Sequence, residues 1–140
     1  MEWFECKVSY EKTMQNGALK KVTESYLVDA LSHAEAEARI TEEMKPYIRG
    51  EYTVSSVRRV SFNEFFFYET GAKYYKVKIA LETLDEKTGA ERKTKINVLA
   101  QASDLQSAII IVKQGMKGTL ADYELVSVGE TAIMDVYQYK

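Results

Sequence analysis

The sequence predicts an α+β fold made of two tandem ββαββ repeats, residues 3–69 and 74–140, related by pseudo-two-fold symmetry, with antiparallel sheet packed on two helices. Three observations predict it. Apolar residues alternate with period two at the head of each half. A helix-start signal with a four-spaced apolar stripe then follows two strand-like segments in each half. Finally, one string after the helix recurs between the halves, the mark of an internal repeat.

The opening segments, 3–11 and 74–82, align at an offset of 71 residues. Phe4, Cys6, Val8 and Tyr10 fall on Tyr75, Val77, Ile79 and Leu81, one face of a strand in each half. Turns follow at Asn16-Gly17 and Thr88-Gly89, where glycine accepts positive φ; they lie 72 apart, so the second turn is one residue longer. In the second strands, 22–28 and 94–100, Tyr26 and Val28 match Val98 and Ala100. Ser32 with Glu35, and Ser103 with Gln106, fit capping boxes. The stripe Ile40, Met44 and Ile48 recurs as Val112, Met116 and Leu120, and Pro46 weakens the end of the first helix. An i,i+4 pair is expected between Glu35 and Arg39. The shared string spans 52–57 and 123–128, and last strands are expected at 62–68 and 133–139. Lys7, Glu11, Thr23, Ser32, Tyr52, Ser56, Val57 and Tyr68 recur identically at offset 71, though the order of elements carries more weight than these identities. With a join of only 70–73, the two units are expected to form one domain around a shared core.

Composition bounds the function. Hydrophobic residues at 46% and charged residues at 29% are globular values, and ten tyrosines against one proline point to sheet. A net charge of −2 confines any nucleic-acid role to a local patch. Cys6 is the sole cysteine, so neither an internal disulfide nor a cysteine zinc site is expected, and its parity makes it a buried hydrophobe. No signal peptide is expected from the first residues, and the longest apolar run, 108–112, is far too short to span a bilayer. A cytoplasmic protein without a membrane partner is expected.

Chemistry is sparse. His33, the lone histidine, sits just past a helix cap with no triad partner in view. Glu35, Glu37, Glu42 and Glu43 form a solvated helix face, and no glycine series precedes a helix to cradle phosphate. Catalytic residues, metal and cofactor are therefore not expected, and the chain reads as a non-enzymatic binding protein.

Two features stand out. Lys76, Lys78, Lys93 and Lys95 share the outer face of the second hairpin with Tyr74, a pattern suited to single-stranded nucleic acid, where cations meet phosphate and rings stack on bases. Lysines also keep an exposed sheet soluble, and that reading stays open. The second feature is Phe65, Phe66 and Phe67, which put rings on both faces of a strand: one for the core, the other for the second repeat, a homodimer seam, another protein or a ligand. Arg58 and Arg59 point oppositely along a strand and make no clamp.

The segments 3–8, 30–37 and 60–64, from Trp3-Phe4-Glu5 through Ser32-His33-Ala34 to Phe62-Asn63-Glu64, carry a resemblance over nearly the whole chain. It resembles a family of short uncharacterised proteins from Bacteroides-group gut bacteria and their phages or mobile elements. The resemblance implies a bacterial or phage setting and an accessory protein binding nucleic acid or another protein, and it supplies no catalytic residues.

Overall fold

The computed structural model describes residues 1–139, which form eight strands in two sheets and two helices. In chain order these are β1 (Glu2–Thr13), β2 (Leu19–Ala30), α1 (His33–Met44), β3 (Tyr52–Val60) and β4 (Glu64–Phe66), then β5 (Lys73–Leu84), β6 (Glu91–Ala102), α2 (Leu105–Gly115), β7 (Tyr123–Glu130) and β8 (Ile133–Tyr137). They divide into two compact units. Unit 1 is Met1–Ser61 with the residues from Ala132 onward, and unit 2 is Phe62–Thr131.

In unit 1 the sheet runs β3-β1-β2-β8. Alternation along β1 buries Phe4, Cys6 and Val8 while Lys7 is exposed. The hairpin closes as predicted, with Gly17 at φ +82° and the Asn16 side chain accepting from Ala18 N–H at 3.0 Å. Ser32 caps α1 by accepting from Glu35 N–H at 3.1 Å, and the helix stops at Met44, two residues before Pro46. Ala36, Ile40 and Met44 pack on Phe4, Cys6, Val8 and Val28. Each such large aliphatic or aromatic side chain contributes roughly 1.5–3 kcal/mol when fully buried. Arg39 does not take the predicted pairing with Glu35. It turns to Asp29, which is buried at the end of β2 and offers both a carbonyl and a carboxylate.

In unit 2 the order is β4-β6-β5-β7. The β5–β6 turn closes between Asp85 and Ala90, one residue longer than the Met14–Ala18 turn, with Gly89 at φ +69°. The α2 cap differs from the prediction: Asp104, not Ser103, accepts from Ser107 N–H, at 2.7 Å. That hydrogen bond, helped by Lys73, holds the Asp104 carboxyl below its usual range. The predicted stripe also ends early, because Leu120 lies beyond the helix and is fully exposed. Ala108, Val112 and Met116 pack on Tyr75, Val77, Ile79, Val98 and Ala100.

Two expectations are corrected. Neither sheet is purely antiparallel: β8 runs parallel to β2, and β4 parallel to β6. Nor does each half of the chain keep its own last strand, since β4, from the front half, belongs to unit 2 and β8, from the back half, to unit 1. Only three residues separate Val60 from Glu64, and the strand they launch lines up on β6, where Gly115 admits it; a Cβ there would overlap the Phe66 ring.

Candidate functional site

Register places the predicted lysines. Lys76 pairs with Leu99, Lys78 with Asn97, Ala80 with Lys95 and Glu82 with Lys93, so the four cations do share one sheet face on successive rungs. Rungs on one face lie about 7 Å apart, giving a stripe roughly 20 Å long. Two facts temper it. Tyr74 is 5% exposed, so its ring is withdrawn from any base; outward parity did not mean exposure. Glu82 and Glu124 share the same face, Glu82 directly across from Lys93.

The phenylalanine strand divides as its parity requires. Phe66 packs into the unit 2 core, while Phe65 stacks on Phe67 at 5.9 Å and meets Phe62 at 5.7 Å. Phe67 and Tyr68 are half exposed, and β4 itself is only Glu64–Phe66.

A third arrangement was not anticipated from sequence. On the helix-bearing face of unit 1, the β1–β2 ladder sets Tyr26 opposite Cys6, Glu24 opposite Val8 and Val22 opposite Tyr10. The parallel β2–β8 ladder then sets Asp135 beside Tyr26 and Tyr137 beside Val28. Tyr26 and Tyr137 stack at 5.9 Å, and the segment past α1 supplies Tyr47 and Ile48. With Tyr10, Glu24, Met134 and Asp135, these four line an open recess of about 280 Å³. Its polar centre is Glu24, whose Oε1 accepts from the Tyr26 hydroxyl at 3.3 Å. Burial, then the Glu24 charge, push the Tyr26 phenol well above its usual range; burial and the hydrogen bond with Glu24 raise Tyr10. Both rings therefore stay neutral. Parity gave Tyr10 and Tyr26 a common face, but Tyr137 arrives through a parallel pairing across more than a hundred residues, which no local pattern announces.

Beside this recess Asp29 receives Arg39 at 2.5 Å and Tyr139 N–H at 2.7 Å, and the Arg39 guanidinium lies over the Tyr139 ring at 5.1 Å. This knot fastens the end of the chain to β2 and α1. A larger recess of about 690 Å³ runs along Ser9, Thr53 and Ser55, but Lys21 and Arg49 line it together with Glu11 and Glu51, leaving no net charge to select a ligand. Cys6 is fully buried and its thiol is pushed up to about 12, so it is an inert hydrophobe, as expected. His33 is exposed, its ring edge on Phe4 at 4.9 Å. Among the described residues no group of three or more His, Cys, Asp or Glu is placed to hold a metal, and no helix is long and apolar enough to cross a membrane.

Residues 2–139 match the model of a domain of unknown function, DUF4494. The chain belongs to that family. Among the curated proteins none matches the DUF4494 chain, so its chemistry rests on the geometry above.

Proposed function

We propose that the protein is a non-enzymatic binding protein whose ligand is a small organic molecule held in the tyrosine-lined recess of unit 1. One observation carries this reading: Tyr10, Tyr26, Tyr47 and Tyr137 converge with Glu24 and Asp135 on a single concavity. Concave sites that are mostly aromatic and bear a few fixed polar groups are the usual form of a small-molecule site. A fragment screen read by NMR of tyrosine-labelled protein tests it. Fragments that move the Tyr26 and Tyr137 ring resonances are expected, and Tyr137→Leu should weaken them. A screen in which no fragment touches these rings rejects the reading.

The second reading is contact with single-stranded nucleic acid through Lys76, Lys78, Lys93 and Lys95, favoured by their register on one face. With Tyr74 buried, the contact is to phosphate alone and carries no base preference. Four such contacts correspond to a slope of about −3 in log K against log salt. Absence of binding at low salt eliminates this reading. A homodimer seam at Phe67 and Tyr68 is the protein-interaction variant, and light scattering checks it.

The scaffold itself we read as a tandem duplication, repeats 3–69 and 74–140, with exchanged fourth strands. Both sheets have the same order of corresponding strands. Each carries a bulge at the matching place, Lys7/Val8 and Lys78/Ile79. The side chain ending the second strand accepts the matching backbone N–H in both units: Asp29 from Tyr139, Gln101 from Tyr68. The proposed setting is that of the resemblance: the cytoplasm of Bacteroides-group bacteria, or their phages or mobile elements.

A further inference from the structure

We infer that the unit 1 recess selects a small organic cation, an alkylammonium group; this rests on the reading of the recess as a ligand site. The lining contains two carboxylates, Glu24 and Asp135, and no lysine, arginine or histidine. An anionic ligand would meet like charge from both. An uncharged one would draw no charge attraction from either. A cation is attracted by the carboxylates and by the negative faces of tyrosine rings, the combination that recognises quaternary ammonium groups.

The details agree with that assignment. Tyr26 and Tyr10 direct hydroxyls to Glu24, so the side chain is held in place by two neutral donors. Asp135 accepts from Val136 N–H at 2.8 Å, which orients it on the same β8 segment that brings Tyr137. The volume of about 280 Å³ suits a small head group. In unit 2 the positions matching Tyr26, Glu24, Tyr10 and Tyr137 hold Val98, Ile96, Leu81 and Phe66, while Glu64 matches Asp135, so the Glu24 carboxylate and the phenols belong to unit 1 alone.

The experiment titrates the full chain with choline and with its uncharged isostere 3,3-dimethylbutan-1-ol, following the tyrosine ring resonances. N-acetyl-trimethyllysine amide is a third arm, which separates a free amine from the end of a modified side chain by relative affinity. Choline should shift Tyr26 and Tyr137 and bind at least about tenfold tighter than the isostere, one to two cation–π contacts in worth. Glu24→Gln, which keeps an acceptor for both phenols, should remove most of that preference while leaving the thermal midpoint close to the parent. Equal affinity for the two probes overturns the cation assignment and leaves the ligand reading standing. So does failure of both cations at a recess that accepts uncharged fragments. Silence from every probe and fragment overturns both.

Discussion

The two units share a strand order and differ in what fills the same corner. Where unit 1 has Tyr26 opposite Cys6 and Glu24 opposite Val8, unit 2 has Val98 opposite Val77 and Ile96 opposite Ile79. Where β8 lays Tyr137 beside Val28, β4 lays Phe66 beside Ala100, and Phe66 packs against Gly115 in the core. Unit 2 therefore puts hydrocarbon where unit 1 has Glu24 and its phenols, with Glu64 in the place of Asp135. Unit 1 leaves this corner polar, which brings no packing gain and requires each buried hydroxyl to find a partner. Such a departure within a common frame is expected at a functional site.

Cutting the chain is the harshest way to break this comparison. Each unit is completed by a strand from the other half, so residues 1–70 and 71–140 expressed as separate chains should be poorly folded singly and co-purify when co-expressed. A stable, cooperatively folding monomer from either half alone would end the exchange reading. Next in size is the pair of strand-end anchors. Asp29→Ala strands Arg39, whose side chain is only 16% exposed, and should cost about 2–4 kcal/mol, since breaking a buried pair leaves a charge uncompensated. Gln101→Ala in unit 2 removes a neutral partner from Tyr68 N–H and Gly71 C=O and should cost about 1 kcal/mol. Urea denaturation of both variants measures the difference, and equal losses would deny the ion pair its role.

Alkali should distinguish the units further. Burial and the Glu24 charge raise the Tyr26 phenol above its usual value of about 10, so its contribution is complete below about pH 10 and is lost as pH climbs through the higher folded value. Ultraviolet titration should show a late-ionising tyrosine whose contribution disappears in Tyr26→Phe. The smallest effect lies at the helix caps. Asp104 is depressed by the Ser107 N–H bond, so its contribution is present above its unfolded value and lost as pH falls through the lower folded one. Ser32 has no charge to lose. The Ser107 amide resonance should move in acid, and Asp104→Asn should abolish that movement; an amide that still moves in the variant would refute the assignment.

Much of the frame was legible because it is written in short periods. Alternation at Phe4, Cys6 and Val8 and at Tyr75, Val77 and Ile79 announces strands, and Ser32 with Glu35 announces a helix start. The α2 cap slipped by one residue because Ser103 and Asp104 are both good caps and only the local backbone chooses. Tyr74 was misplaced because parity tells which side a residue takes but not what covers that side. Three of the recess groups, Tyr10, Glu24 and Tyr26, lie on one predicted hairpin, yet nothing in the string marks Glu24 as their shared acceptor.

By itself, then, the sequence determined the eight extended segments, the two amphipathic helices and the faces that turn inward, because these follow from interactions a few residues apart. Tertiary structure alone decided that the final strand of each half joins the other unit's sheet, and that Tyr137 and Asp135 thereby reach Tyr26. Strand pairing at long range is settled by loop reach and the fit of side chains such as Phe66 over Gly115, neither of which leaves a periodic trace.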